Sequence, residues 1–402
     1  MSTTIKLDHS GLPLIPQPTD SPSDPLNYPN WLKYLILGEI SVLAFLVTLN
    51  IAMINPAIVP LSEEFSITPV AATYQTTVAI GAAAFGPLLF TPFANVYGRR
   101  PAYLLAILVG FASSVASATT TTYGGLIAAR AVIGLGPSAA MGLGVGTVVD
   151  VFYMHERGRA MGLFTLSMTN GGHLAPIVGG YVARNLGWRW CFWVGAILNA
   201  AMFVICLFAL PETQFDRSLA IEELDKNLPC SKAEIVHAES SASVRREPYT
   251  APPMLWRTYT KRLCLWNLER PTGRRMKASD FVVQPLSMLR HPSVAFPALF
   301  YAVTYGFASI EPALTLTAIF TKLYRFDTVR NGLASGVSLL VGGYQLTPQF
   351  VSSLGELCSG PVTDYMMRRA RQRLEGDDEP PAEIRLQGIW TGAIIVPVGL
   401  LM

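Results

Sequence analysis

The chain has 402 residues, of which 51% are hydrophobic and only 14% charged, against about 25% charged in soluble domains. That shortfall excludes a large water-soluble core and marks a membrane protein. The net charge of +3 is too small to point to nucleic acid, and the basic residues fall in particular loops rather than on one face.

In chain order, residues 1–31 carry Asp8, Asp20, Asp24 and many Pro and Ser. They lack the basic start, short apolar core and cleavage site of a signal peptide. This tail is expected to be disordered and cytoplasmic, so that the first span directs insertion. Crossing a bilayer takes roughly 20 apolar residues. Runs of that kind follow at residues 32–54, 73–93, 102–118, 124–149, 161–182 and 190–210. The fourth is rich in small residues, which suits close helix packing in lipid. Together they predict an N-terminal six-helix bundle over residues 32–210.

Pro211 ends this series. Residues 211–292 are polar and too long for an ordinary connection, so they read as a cytoplasmic linker. Its first part is acidic, with Glu212, Asp216, Glu222, Glu223 and Asp225; its second is basic, with Lys261, Arg262, Arg270, Arg274, Arg275 and Lys277. Two readings are open: a solvated loop whose basic end lies near anionic lipid, or a segment that binds a regulatory partner. Spans are predicted again at residues 293–320 and 333–358, and another begins near Gln387. Residues 293–402 therefore read as an incomplete C-terminal bundle of two spans and part of a third. The five cysteines show neither metal-ligand spacing nor an extracellular pairing pattern and are expected to be free thiols.

Orientation follows from Lys and Arg in short loops. The turns at Arg99 and Arg100, at Arg157 and Arg159, and at Arg368 to Arg373 fall on one side together with the linker. The opposite connection, LSEEFSITP, carries Glu63 and Glu64 and no basic residue, although Lys322, Arg325 and Arg330 fall on that side. The amino terminus and the linker are therefore placed in the cytoplasm.

Between the second and third spans the chain reads TPFANVYGRR, Thr91 to Arg100, and a second copy, GPVTDYMMRR, runs from Gly360 to Arg369. Thr91, Asn95, Gly98, Arg99 and Arg100 align with Gly360, Asp364, Met367, Arg368 and Arg369. A turn that recurs with its flanking spans is the trace of a transporter built from parallel repeats. Both copies resemble the loop motif Gly-x-x-x-Asp-x-x-Gly-Arg-Arg of the major facilitator superfamily. The resemblance implies an all-α, two-bundle membrane fold. It also implies a cytoplasmic latch, in which the motif's aspartate pairs across helices and its arginines contact neighbouring spans, stabilising an outward-open state. Asn95 cannot form that ion pair, so a latch here has to rest on hydrogen bonds and on Gly98, Arg99 and Arg100 in the first copy and Asp364, Arg368 and Arg369 in the second. Plain positive-inside anchoring is the alternative. On the same repeat a complete second half would run well past Met402, so the chain is expected to be C-terminally truncated.

Two further stretches carry the resemblance. Arg130 with Gly134 and Gly136 in RAVIGLG resembles the superfamily's fourth-span motif, whose arginine is implicated in proton coupling; a charge within a span is a functional candidate in any case. Snorkelling to the nearby interface is the alternative. The fifth span, GLFTLSMTNGGHLAPIVGG, resembles an antiporter motif through Gly162, Gly171, Pro176, Gly179 and Gly180, with Ala175 in place of one glycine. Physically, its small residues admit a neighbouring helix and Pro176 removes an amide donor and bends the span. An ordinary packing face is the alternative. His173, near mid-membrane, titrates near neutral pH when accessible or serves as a neutral packing residue. Glu311 in YGFASIEPAL is a candidate proton site, because a carboxylate in lipid must face a cavity or a partner, unless it lies solvated at the outer mouth beside Pro312. Glu39 in the first span raises the same question nearer the cytoplasmic edge.

The segments DPLNYP, NPAIVPLSEEF, HERGRAMG, GWRWCFW and LPET are similar to those of fungal drug:proton antiporters of the twelve-span class. That group exports hydrophobic drugs, polyamines and secondary metabolites. No phosphate-cradling loop, zinc pair or nucleophile elbow is present in the sequence, so neither enzyme chemistry, a catalytic residue, a cofactor nor a metal is expected. The reading is a secondary transporter that exports a small organic compound against protons by alternating access. It is expected to act as a monomer in membrane lipid, in the plasma membrane or the vacuolar membrane. Tyr74, Gln75, Asn170, Tyr301 and Tyr305 are candidates to line the substrate cavity or to act as helix-packing glue. The rival reading is a truncated, non-transporting membrane protein, either an inactive product or a sensor.

Overall fold

A computed structural model describes residues 5–7, 14–215, 246–248, 259–260, 262–263, 287–305, 326–337 and 365. Among these, strand β1 (Ile5–Leu7) runs parallel to strand β2 (Arg246–Pro248). The rest of the regular structure is helical: α1 (Asn30–Ala52), α2 (Ile58–Glu64), α3 (Pro69–Ala83), α4 (Gly86–Tyr97), α5 (Arg99–Thr119), α6 (Tyr123–Leu135), α7 (Ala139–Val151), α8 (Arg157–Leu186), α9 (Arg189–Ala209), α10 (Pro292–Tyr305) and α11 (Thr328–Val337).

Each run read as a span between residues 32 and 210 is helical. Among the described residues, five stretches are long and apolar enough to cross a bilayer: α1 through α2, α3 with α4, α5, α6 with α7, and α9. At 1.5 Å per residue, the 23 residues of α1 reach about 34 Å, beyond the roughly 30 Å of hydrocarbon. The 30 residues of α8 reach further, but Ser167, Thr169, Asn170, Gly171, Gly172 and His173 dilute its apolar content. Its middle meets protein instead of lipid, with Gly171, Ala175, Pro176, Gly179 and Gly180 buried.

Two spans expected to be continuous are broken. The α3–α4 break precedes Pro87, and the α6–α7 break falls at Gly136, Pro137 and Ser138, where a proline has no amide to donate to the preceding turn. The breaks lie against each other. A Cβ on Gly86 would strike Ser138 and the Leu135 carbonyl, and one on Gly142 would sit 2.8 Å from Pro87.

The packing follows from the bilayer acting as solvent. On α9 the buried positions Cys191, Gly195, Asn199, Met202 and Cys206 recur every three or four residues. The large apolar side chains of Ile197, Val204, Ile205 and Phe208 point outward instead, Phe208 being 69% exposed. On α9 small and polar residues gather inside, because lipid is as apolar as leucine and gives little reason to bury it; α1 nevertheless buries Leu32, Ile36, Leu37, Ile40 and Leu43.

Residues 14–29 of the amino-terminal tail depart from the expected disorder. Residues 14–29 lie on the end of the bundle that carries Arg99, with Asp24, Leu26 and Tyr28 buried. The reason is local. Asp24 accepts from the amides of Leu26 (3.1 Å) and Thr19 (3.0 Å) and so caps the 3-10 turn Pro25–Asn27, leaving few unmet polar groups. The segment is pinned where Tyr153 donates to the Leu26 carbonyl (3.3 Å) and the Met154 amide to the Ile15 carbonyl (2.9 Å).

In the second half, α10 covers the start of the span predicted at 293–320, and α11 begins at Thr328, ahead of the predicted 333. Glu311, Asp364, Arg368, Arg369 and the span beginning near Gln387 lie outside the described residues.

Candidate functional site

The Arg99 end is organised by one sharp turn. Gly98 ends α4 and precedes α5 with φ +108°, a conformation that costs a side chain dearly; a Cβ there would also strike the Glu212 carboxylate. The first amides of α5 have no partner within their own helix. Glu212, just past α9, supplies it: its two oxygens accept from the amides of Arg99 (2.9 Å) and Arg100 (3.1 Å). A carboxylate at a helix N-terminus also meets the positive end of the helix dipole.

The arginine side chains then reach outward from this cap. Arg99 Nε donates to Asp150 Oδ2 at the end of α7 (2.6 Å), and Arg100 Nη2 donates to the Leu207 carbonyl near the end of α9 (2.6 Å). Asn95 contributes through its carbonyl, which accepts from Gln214 Nε2 (2.8 Å). The tail and the linker close over the cap. Tyr28 donates to the Glu212 carbonyl (3.2 Å), and burial pushes its phenol up to about 12, so it stays a neutral donor. Arg262 donates to the carbonyls of Ser23 (2.8 Å) and Gln214 (3.2 Å), while its own carbonyl accepts from the Glu212 amide (3.0 Å).

A second cluster lies where α1 stops. Its last carbonyls have no intrahelical donor, and Arg130 of α6 fills the gap: Nη1 donates to the Asn50 carbonyl (2.8 Å) and Nη2 to the Ile51 carbonyl (2.7 Å). The guanidinium sits 5.5 Å over the Phe192 ring. Arg130 is fully buried within the bundle. Gln75, also fully buried, donates to Thr76 (2.8 Å), which reaches Asn55 (3.3 Å). Tyr74, one residue earlier, is 54% exposed on the other side of α3.

The third feature is the glycine and proline face of α8. Gly171 packs on the Phe45 carbonyl and Thr48 of α1, and Gly179 on the Met53 carbonyl, each too close to leave room for a Cβ. On its other side, Gly180 lies against Thr328, Val329 and Gly332 of α11, and Gly332 against the Pro176 carbonyl. Arg184 and Asp327 pair at 3.2 Å at the far end of this seam. Of the remaining candidates, His173 is half-buried on α8, Asn170 donates to the Leu166 carbonyl (2.9 Å), and Gly162 lies near the start of α8. Tyr301 and Tyr305 lie on α10.

At the end opposite Arg99, Glu64 accepts from both Trp188 Nε1 and Arg189, tying α2 to the start of α9. The sequence reading passed over Glu212, Asp150 and this Glu64 pair as site residues. The signal for the first two was the arginine pair itself, since buried guanidinium groups and a bare helix N-terminus both require acceptors.

Against this geometry, a family model described as Major Facilitator Superfamily matches residues 40–400. An uncharacterized MFS-type transporter of Schizosaccharomyces pombe, C1271.10c, is 36% identical, covering 97% of this chain and 70% of that protein. The MFS transporter cpaT of Aspergillus oryzae is 28% identical, with 95% and 69% covered; the efflux pump radE of Floropilus chiversii is 26% identical, with 95% and 64% covered. The chain thus spans about two thirds of the length of these relatives. Among solved structures, a D-xylose–proton symporter aligns with a TM-score of 0.51 at 14% identity over 92% of this chain and 82% of its own. The xylose symporter XylE bound to 6-bromo-6-deoxy-D-glucose aligns with 0.53 at 15% identity, over 92% and 81%.

Proposed function

The chain belongs to the major facilitator superfamily, and from that premise we propose that it is a proton-coupled exporter of a small organic compound working by alternating access. It is an integral membrane protein of a transporter family, with fungal relatives that include a protein named as an efflux pump. The observation that carries the finer reading is the α8 seam. One helix of the first half presents closely spaced glycines to α1 on one side and to α11 of the second half on the other. Such a seam holds two bundles in van der Waals contact without bulky side chains, so it can part and re-form at small cost.

In this arrangement the Arg184 end is closed by the α8–α11 contact. Opening it requires the seam to separate while the Arg99 cluster holds the other end. By the distribution of Lys and Arg, the Arg99 end faces the cytoplasm. Arg130 would fix the end of α1 so that protonation changes deeper in the bundle move α1 as a unit. Substrate and protons are the expected partners, and the plasma membrane is the expected site.

The test is flux. The chain reconstituted in liposomes, with a pH gradient imposed, should move a fluorescent hydrophobic dye against its own gradient and stop when the gradient is collapsed by an ionophore. Dye movement that ignores the gradient would remove proton coupling from the account.

A further inference from the structure

The tail over the Arg99 end is held by one knot. Asp24 is fully buried, and both of its carboxylate oxygens are engaged: Oδ2 accepts from the amide (3.0 Å) and the hydroxyl (3.1 Å) of Thr19, and Oδ1 from the Leu26 amide (3.1 Å). A carboxylate can stay buried only while such donors meet it, and Thr19 supplies them from both its backbone and its side chain. Asn27 closes the loop, its Nδ2 donating to the carbonyls of Thr19 (2.8 Å) and Ser21 (2.9 Å).

The tail's grip on the rest of the molecule depends on the shape this knot imposes. It presents the Ser23 carbonyl to Arg262 of the linker, the Leu26 carbonyl to Tyr153 between α7 and α8, and the Tyr28 hydroxyl to the Glu212 carbonyl. Thr19 itself lies at the rim. It is only partly buried, and the side chain of Asp20 beside it is 88% exposed. Pro16, Pro18 and Pro22 keep residues 16–23 out of helix and strand. The result is an irregular, acidic stretch, PTDSPSD, with hydroxyls at Thr19, Ser21 and Ser23. Lys6, the cation that flanks Thr19, is given to the Pro18 carbonyl (2.7 Å) and to Asp20 (2.6 Å).

We propose that Thr19 is a phosphorylation site, used by a Ser/Thr protein kinase that reads an acidic stretch, and that the phosphate frees the tail from the Arg99 end. The kinase moves the γ-phosphoryl group of a nucleoside triphosphate to Thr19 Oγ1. The bond to the leaving diphosphate breaks, an O–P bond forms, and the hydroxyl proton passes to the kinase's base. The modified oxygen has no proton to donate, and a charge of about −1.5 to −2 stands where the hydroxyl met the Asp24 carboxylate. Opening of the knot presents the hydroxyl, and phosphate on the open form keeps it from closing again. Arg262 and Glu212 then lose the Ser23 carbonyl and the Tyr28 hydroxyl. The cytoplasmic placement of this end and any effect on transport rest on the reading above; the knot does not.

The test uses the full chain. Mass spectrometry maps phosphate on chain isolated from a fungal host with phosphatase inhibitors, and on purified chain incubated with an acidic-directed Ser/Thr kinase and ATP; Thr19 should carry it in both. In lipid nanodiscs, hydrogen–deuterium exchange across residues 14–29 and 153–157 should quicken by about tenfold or more in the phosphorylated chain and in Thr19→Glu, the scale of one lost hydrogen bond to a charged group. Thr19→Gln, similar in size to the glutamate but uncharged, should quicken it less. In liposomes, Thr19→Glu should raise the rate of pH-driven dye flux severalfold. A Thr19 left bare by the purified kinase, or phosphate confined to Ser21 and Ser23, overturns the site; phosphate in vitro but none in the chain from the host overturns its use in the cell. Exchange no faster in Thr19→Glu than in Thr19→Gln overturns release by charge, and faster exchange with unchanged flux overturns a part in gating. If wild-type flux ignores the gradient, the exporter reading falls, and the mapping and exchange still decide the site.

Discussion

Glu212 does for α5 what no neighbouring residue can, because the chain arrives at Arg99 from a glycine in the left-handed region and brings no side chain to cap the helix. Two amide bonds to a carboxylate at 2.9 and 3.1 Å make it more than a surface acid. Glu212→Ala is expected to lower stability by about 1–2 kcal/mol, the range of lost helix caps, and Glu212→Gln by less, since one acceptor oxygen remains. Thermal unfolding of the detergent-purified protein measures both; an unmoved midpoint for the alanine variant would show that water caps α5 equally well. Arg130 invites a finer distinction, between charge and shape. Two carbonyls held by two different nitrogens need a planar fork, so Arg130→Lys should fail to bridge Asn50 and Ile51 although it keeps the charge. Flux should fall to background in Arg130→Ala and by about tenfold or more in Arg130→Lys, on the scale of a lost charge-assisted hydrogen bond. A fully active lysine variant would mean that charge alone is required. The arginines were legible in the sequence as exceptions to an apolar run. Their partners were not, because Glu212 and Asp150 sit at span ends where acids are unremarkable, and only folding brings them to the arginines.

Among the helices, α8 shows why a hydropathy pattern and a motif read differently. Its polar and small residues thin its apolar content, yet its length and its order of glycines and proline made it recognisable as a span. What the order could not tell was that the glycines divide between two neighbours, Gly171 and Gly179 toward α1, Gly180 toward α11. The breaks within the second and fourth spans were hidden for a similar reason: each proline lies in a run apolar enough to be one helix, and the mutual packing of Gly86, Ser138, Gly142 and Pro87 favours breaking both. The seam makes a graded prediction. A valine at Gly332 places its Cβ on the Pro176 carbonyl, and one at Gly180 lies within 3 Å of the Thr328 carbonyl at 2.9 Å. Overpacking of this kind costs about 1–3 kcal/mol, and here it can be relieved by parting α8 from α11. Gly172→Ala is the control, because its nearest neighbour is Thr48 Cβ at 3.9 Å. Gly332→Val and Gly180→Val should slow dye flux severalfold while Gly172→Ala stays near wild type; equal effects at all three positions would argue against a seam.

For the molecule as a whole, unlike contacts gather at the two ends, and under the proposed alternating access that difference can be turned into a measurement. At the Arg184 end α8 and α11 are joined by backbone contact and by the solvent-exposed Arg184–Asp327 ion pair, worth little by itself. At the Arg99 end a connected set of charge-assisted bonds through Glu212, Arg99, Arg100 and Arg262 ties the first half to the tail and the linker. The proposed alternating access demands that opening one end strengthen the other, so reporters at the two ends must respond in opposite directions. Val329, 8% exposed against Gly180, and Thr213, 1% exposed beside Glu212, are suitable positions. In a background with the native cysteines replaced, Val329→Cys and Thr213→Cys should both react slowly with a membrane-impermeant maleimide in the arrangement described here. Adding Gly332→Val should speed labelling at 329 and slow it further at 213. Glu212→Ala should do the reverse, because it loosens the linker and tail at the other end. If both positions accelerate together, the substitutions are loosening the fold at large, and the two ends do not exchange. If neither moves, the seam does not gate the Arg184 end.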